Sequence, residues 1–501
     1  MAILNSLIAW RMKKRIHQIE LFLKFPIEVQ KDCLTGLLNK AKHTEWGENY
    51  KYGEIESYEQ FKNRVPLQTY ESIKKDIFRV RNGEKNIIWP SDIKWFAKSS
   101  GTTEDKSKFI PVSEESLFDC HYKGGKDMLS IYCNWMPDTQ VFTGKTITMG
   151  GSSQMNPNVK GAYTGDLSAI LISNLPFWIT RQQAPGNDIV LMDEWEEKIE
   201  KMALQVIEES ITSVTGVPSW TQILFERVLA KTKASTLKEV WPNLELYMHG
   251  AVSFDPFKSR FDEMAPGLNY LETYNASEGF FGIQFEKSVS DFLLMLDYGI
   301  FYEFIPKSEW EKDDPKVFPL NEVKLGEKYA LVISTNAGLW RYQIGDTIEF
   351  TSINPFRFKI VGRTKHFINA FGEELIIDNA IKAINIACDK TGAEINEWTV
   401  APCFFKKGKS GAHEWVIEFE KSPDNLGYFV ELMDNALKSL NSDYEAKRYK
   451  DIILGMPIVK SVPRRTFYKW LKSLGKLGGQ NKVPRLNNSR KYVEEVLKIA
   501  E

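Results

Sequence analysis

The sequence lacks any pair of cysteines at metal-binding or redox spacing. Cys33, Cys120, Cys133, Cys388 and Cys403 are odd in number and scattered. That excludes a disulfide framework and reads as reduced thiols in a cytoplasmic protein. The six histidines are equally dispersed with no His-Glu-x-x-His run, so nothing supports a zinc site. A dominant charge is missing too: 65 Lys and Arg against 66 Asp and Glu leave a net charge of −1. This argues against a general footprint for nucleic acid. No apolar run is long enough to cross a bilayer, so no membrane partner is expected. The opening MAILNSLIAW has its charge after rather than before it and no small-residue cleavage site, and is not read as a secretory signal. No GxxxxGK[ST] occurs, and GGSSQ (150–154) stops one glycine short of a nucleophile elbow. P-loop and serine-hydrolase readings are weak for that reason.

What is present is a globular chain of 501 residues, enough for two to four domains. A monomer is the default reading. The first ninety residues read as helices, with SYEQFKNRV and TYESIKKDI each starting from a potential N-cap. SEESLFDCHYKGGKDMLSIY opens with Ser113 and two glutamates, a helix start suited to the dipole. In MDEWEEKIEKMALQVIEESIT, Trp195, Ile199, Met202, Val206 and Ile207 share one helical face and predict a core contact. Strand-like runs lie between the helices: GKTITMG, AILIS, LELYMHG, YALVIST and DTIEF. The alternation predicts a large α/β domain over residues 1–360. From residue 361 the pattern changes to a smaller α+β unit, 361–501, of a few strands with helices on one side. Val361 to Lys365 is the expected hinge, with a cleft between the two parts.

Five stretches carry chemistry. FAKSSGTTEDKSKFIP (96–111) gathers hydroxyls and bare amides ahead of Lys108, one way to hold a polyphosphate, though the same residues also build surface turns. LYMHGAVSFDP (246–256) sets Gly250 and Ala251 after a strand, where a flat base has room to lie against backbone; a strand-ending turn is the alternative. YNASEGFFG (274–282) puts Glu278 among small residues and aromatics, as a Mg²⁺ ligand beside phosphates or as a helix-start glutamate. In AGLWRYQIGDTIEF (337–350), Asp346 follows Gly345 at the mouth of a strand, a place from which an acid takes both ribose hydroxyls. Arg341 is expected to face the same cleft, and a Gly-Asp turn between strands is the alternative. GGQNKVPRL (478–486) carries Lys482 on a glycine-rich loop of the smaller unit.

Together these motifs, in this order, resemble the adenylate-forming ligases, and within them the plant auxin-responsive Gretchen Hagen family of acyl-acid amido synthetases and its bacterial relatives. SSGTTEDKSK is similar to that family's first nucleotide motif, YNASEGFFG to its second, LWR with YQIGD to its third, and GGQNKVPR to its C-terminal lysine loop. GRTKHFINAFGEEL resembles the hinge segment of adenylate-forming enzymes. The resemblance implies a large N-terminal α/β domain binding ATP and an acyl acid, and a small mobile α+β C-terminal domain. It also implies two half-reactions: Mg-ATP adenylates a small carboxylic acid, and then an amine, usually that of an amino acid, takes the acyl group and releases AMP. Carried over, Ser99, Ser100, Thr102, Thr103 and Lys108 cradle phosphate, Glu278 holds Mg²⁺, Asp346 the ribose, and Ser277 neighbours the α-phosphate. Gly101, Gly250, Ala251, Tyr274, Ala276 and Arg363 complete the expected nucleotide set. Lys108 and Lys482 are the expected catalytic lysines, Lys482 entering the closed site.

Three departures from the family pattern stand out. Asp105 replaces a glycine of the first loop, Ala276 sits where a serine is common, and FGEEL occupies the place of a plant segment bearing a reactive lysine. The acyl pocket is expected near GDLSAI (165–170) and GVPSW (216–220), with Leu167 and Trp220 as wall residues. The rival readings are an acyl-CoA ligase, which shares the first half-reaction, and a non-catalytic nucleotide-binding module.

Overall fold

The structure is a computed structural model that describes residues 2–99, 108–150, 156–157, 161–192, 194–251, 254–310, 312, 314–363, 367–368, 373, 375–403, 411–441, 444–445, 448, 454–476, 482–487 and 489–501. Its strands in chain order are β1 Trp95–Ser99, β2 Lys108–Val112, β3 Lys145–Thr148, β4 Asn156–Pro157, β5 Tyr163–Gly165, β6 Gln183–Ala184 and β7 Ile211–Thr215. Then follow β8 Leu246–Gly250, β9 Asn269–Ala276, β10 Gly279–Ile283, β11 Phe292–Leu294, β12 Ile300–Pro306, β13 Phe318–Pro319 and β14 Lys328–Thr335. The last are β15 Tyr342–Ile353, β16 Phe356–Arg363, β17 Phe367–Ile368, β18 Leu375–Ile376, β19 Glu394–Cys403, β20 Ala412–Lys421 and β21 Ile458–Val462.

The large N-terminal part is built on a twelve-stranded sheet in the order β13-β12-β14-β15-β16-β11-β10-β9-β8-β7-β3-β6. From β6 to β9 the neighbours are parallel, joined by helical crossovers. From β9 to β13 they are antiparallel. One apolar core joins the antiparallel half to the N-terminal helices, and another packs helices Trp195–Ile207 and Pro218–Thr232 against the parallel half. Ile199, Met202 and Val206 are buried there, as the helical face requires. Ser57 and Ser113 cap their helices through side-chain bonds from Gln60 N and Ser116 N, at 3.3 and 2.9 Å. The helix after Ser113 begins with a π-helical turn, Ser116–Tyr122, before Lys123–Trp135. No helix among the described residues is long and apolar enough to cross a membrane.

The smaller C-terminal part has its own sheet, β19-β20-β21. Helices cover both of its faces rather than one. Trp415 and Ile417 pack with helices Ile377–Thr391 and Leu426–Leu440, whereas Val416 packs with Phe467, Trp470 and Val493 of the last two helices. Period-two alternation puts Val416 opposite its neighbours, and an apolar residue on each side demands a cover on each side.

Two further sequence expectations are corrected. Ala169–Ser173 is not a strand but the body of helix Leu167–Ser173; a five-residue apolar run does not separate a buried strand from a buried helix. Arg341 does not face the cleft. It is 4% exposed, and its guanidinium holds Glu303 (0% exposed) at 2.9 Å and the carbonyls of Lys62 and Val65 at 2.8 Å each. Its backbone sits at φ 44°, held by the Gln68 amide on its carbonyl and by Ser334 Oγ on its own N–H. Removing one partner of such a pair strands a buried charge. Arg341→Met is therefore expected to cost about 3–5 kcal/mol in urea denaturation, and a loss below about 1 kcal/mol would show that the pair is solvated.

Candidate active site

The parallel strands end on one side of the sheet, and in open α/β sheets ligands bind beyond such carboxyl ends. A cavity of about 160 Å³ lies there. Met149 and Gly150 line it from beyond β3, Thr215 and Gly216 from the end of β7 and just past it, Met248 to Gly250 from β8 with Ala251 just past it, and Thr273 and Asn275 from β9. Trp220 lines it from helix Pro218–Thr232, and Met128 and Phe280 close the apolar side. Leu167 instead packs in the core at 1% exposure, and its neighbour Ser168 reaches the wall. Gly250 is required by a close approach: a Cβ would sit 2.4 Å from the Thr273 carbonyl oxygen. Ala251 follows at φ 73°, a strained conformation for a residue with a Cβ, at the cavity lip.

Tyr274 to Glu278 run along the end of β9 and into a two-residue turn. Ala276 pairs with Gly279, so Ser277 and Glu278 form the tip of the β9–β10 hairpin, and Glu278 starts no helix. Ser277 is buried, and Glu278 and Ala276 are partly exposed. The Tyr274 ring packs against Phe281, Phe292 and Phe358. Its hydroxyl donates to the Asp346 carboxylate.

Asp346 lies inside β15 rather than at its mouth, since the strand begins at Tyr342. Against β14 the register jumps from Ala330↔Thr347 to Val332↔Gln343, leaving a bulge that contains Gly345 at φ 86°. A bulge re-aims the side chain beside it, and a positive φ there favours glycine. On the other edge Asp346 pairs with Arg363, whose side chain lies outside the described residues.

The opening loop joins two antiparallel strands, with Ser99 opposite Lys108. Ser100, Gly101, Thr102, Thr103 and Asp105 lie outside the described residues, as does Lys365. Lys108 is partly exposed, its ammonium 5.7 Å from the Tyr70 ring centre. Lys482 is exposed and does not line the cavity. Among the described residues no group of three or more His, Cys, Asp or Glu converges to hold a metal. The single carboxylate of Glu278 at a hairpin tip suits a hard cation whose other ligands are phosphate and water oxygens.

Three family models match the chain: the GH3 family N-terminal domain over residues 15–270, the central domain over 293–363 and the C-terminal domain over 378–491. The chain belongs to the GH3 family. Its curated relatives include the Arabidopsis thaliana indole-3-acetic acid-amido synthetase GH3.3, 23% identical across 91% of this chain and 89% of its own. Another is the 4-substituted benzoates-glutamate ligase GH3.12 of the same plant, 24% identical across 93% and 94%. Among solved structures, GH3.15 acyl acid amido synthetase superposes with a TM-score of 0.80 at 20% identity, over 97% of this chain and 96% of that one. A 2-hydroxyisobutyryl-CoA ligase in its postadenylation state superposes at 0.57 and 14% identity, over 94% and 91%. Both likenesses show the fold.

Sequence reasoning about this GH3 chain missed two histidines. His249, 3% exposed, is packed between Tyr247 and Phe254, and among the described residues its Nδ1 has no hydrogen-bond partner. His121, 5% exposed, faces Asn275 Oδ1 from Nδ1 at 3.1 Å. Burial pulls His249 down from 6.5 to about 3. It pulls His121 down to about 4, against the opposing effect of the Asn275 bond. An isolated histidine in a sequence gives no signal of this. Below pH 6.5 the unfolded chain binds these protons and the folded one does not. Stability is therefore whole above pH 6.5 and falls with pH, by about 1.4 kcal/mol per pH unit for each ring until its folded value is reached. His249→Phe is expected to flatten that slope between pH 6.5 and 5 in denaturation midpoints. An unchanged slope would mean that the ring is protonated in the folded protein.

Proposed function

We propose that this GH3 protein is an ATP-dependent acyl-acid amido synthetase that adenylates a small carboxylic acid and passes the acyl group to an amine, that of an amino acid. The observation that carries the reading is the meeting of Asp346 with Tyr274, one residue either side of which Thr273 and Asn275 line an apolar cavity. An acid suited to ribose, on β15, and a pocket suited to an apolar acid meet at β9 through Tyr274.

In this reading the nucleotide lies across Gly250 and Ala251, with Asp346 accepting from the ribose hydroxyls. Lys108 and the loop before it neutralise phosphate charge, and Ser277 donates near the α-phosphate. Glu278 would hold Mg²⁺, which when bound supplies further charge neutralisation to the phosphates. A carboxylate oxygen attacks the α-phosphate and pyrophosphate leaves. The amine then attacks the acyl carbon, and AMP leaves with the oxygen it shares. Positioning and charge neutralisation supply most of the barrier reduction, because no protein nucleophile is needed.

Residues 1–360 hold both substrates and 361–501 close over them with Lys482. β16 carries Val361, Gly362 and Arg363 within the large sheet, so closure would bend the chain beyond Arg363. The five unpaired thiols fit the reducing cytoplasm.

The test is pyrophosphate release from Mg-ATP that depends on an added acid, with hydroxylamine trapping the activated acyl group and amino acids compared with CoA as acceptors. Release independent of any acid, or a thioester product, would overturn the reading. Lys108→Ala is expected to slow acid-dependent release without loss of folding. Asp346→Asn should weaken ATP binding about 10- to 100-fold in calorimetry, the worth of a charge-assisted hydrogen bond. Equal affinity would return Asp346 to a purely structural role in the bulge.

A further inference from the structure

The cavity wall is apolar over most of its extent, with Met128, Met149, Met248, Trp220 and Phe280, and among the described residues no lysine or arginine lines it. Among the described residues an acid entering it meets no fixed cation to orient its carboxylate. Asn275 supplies a donor instead. Its Oδ1 faces Nδ1 of His121 at 3.1 Å, and among the described residues its amide nitrogen has no hydrogen-bond partner. His121 stands on the π-helical turn Ser116–Tyr122, an irregularity that recurs at functional sites, and burial keeps its ring neutral at ordinary pH. A neutral ring protonated on Nδ1 donates to Oδ1. That fixes the amide so that its N–H₂ is left for the cavity.

The place of Asn275 along the strand says which part of the acid it meets. Tyr274 on one side holds the Asp346 carboxylate, and Ala276 on the other leads into the Ser277–Glu278 tip. Between a ribose end and a phosphate end, the acid atoms within reach are those of its carboxylate. We propose that Asn275 Nδ2 binds the carboxylate oxygen that becomes the acyl carbonyl, and that His121 is the positioning residue that aims it. The assignment rests on the ligase reading above. The acid is then a monocarboxylic acid with a small, uncharged, largely apolar body, since a second carboxylate would find the hydroxyls of Ser168, Thr215 and Thr273 among thioethers and rings but no cationic side chain among the described lining residues. As the amine attacks, negative charge gathers on that same oxygen and the Asn275 bond strengthens. Nothing covalent is asked of either side chain.

The test uses the full-length enzyme with Mg-ATP and benzoate, a 4-substituted benzoate, indole-3-acetate or hexanoate, whichever the wild type activates. Asn275→Asp keeps the shape but turns an anion toward the carboxylate. It is expected to lower kcat/KM for the acid about 100-fold while leaving the ATP dissociation constant within about threefold. Asn275→Ala, which adds no charge, should lower it about tenfold and covers the case in which the aspartate variant does not fold. His121→Phe should raise KM for the acid in the wild-type background and have no further effect in the Asn275→Ala background. Unchanged kcat/KM in folded Asn275→Asp overturns the assignment of Asn275. An equal His121→Phe effect in both backgrounds overturns the positioning role. A wild type that releases no pyrophosphate with any acid overturns the ligase reading itself, so the two failures are told apart.

Discussion

The hydrogen bond from Tyr274 to Asp346 is possible only because the central sheet curls. β9 and β15 stand four places apart in the strand order. At about 4.8 Å per step a flat sheet would separate them by about 19 Å, far beyond a tyrosine side chain. The antiparallel half therefore wraps around Phe281, Phe292 and Phe358, with the Tyr274 ring among them. Small residues let the wrap close tightly: a Cβ on Gly282 would come within 2.8 Å of Phe292 and 2.9 Å of Phe358. Every other feature of the site follows from this closure. It brings the bulge at Gly345 beside the β9–β10 hairpin, and it leaves the ends of the parallel strands open as a cavity.

The site divides its electrostatics by position. On the antiparallel side are carboxylates, Asp346 and Glu278, suited to ribose hydroxyls and a hard cation. On the parallel side is an apolar wall with neutral imidazoles behind it, suited to the body of an acid. Buried rings held neutral add no charge to compete with the phosphates, and their cost falls on stability in acid rather than on chemistry. Two of the residues with a Cβ at positive φ stand near these features, Ala251 on the cavity lip and Arg341 just before β15. Arg341 shows the opposite use of charge. Its pair with Glu303 is spent on tying the N-terminal helices to β12 and β15.

The smaller part touches the larger through Tyr468, whose ring packs against the core of the parallel half and whose hydroxyl donates to Glu196 at 3.0 Å, with Lys472 3.7 Å from the same carboxylate. Exposed bonds of this kind are worth little individually and break without stranding a buried charge. The two-sided cover of the β19-β20-β21 sheet gives the smaller part apolar clusters of its own.

Much of this chain was legible in its residues, because the relevant physics is local. Ser57 and Ser113 cap helices through bonds to their own neighbours, and Ile199, Met202 and Val206 share a face by helical periodicity alone. The order of the motifs, from the opening loop to the lysine loop, pointed to the GH3 family before any coordinate. Other features depend on where distant strands fall. Gly345 reads as part of a Gly-Asp turn until the register with β14 makes it a bulge, and Glu278 as a helix start until β10 pairs back on β9. Arg341 looks like a cleft residue beside Asp346, but the pleat and a positive φ turn it inward to Glu303. His121 and Asn275 are 154 residues apart and carry no local signal. Local chemistry chose the elements and the motifs, and the curl of the sheet decided which of them meet, because only closure around the aromatic core sets long-range distance.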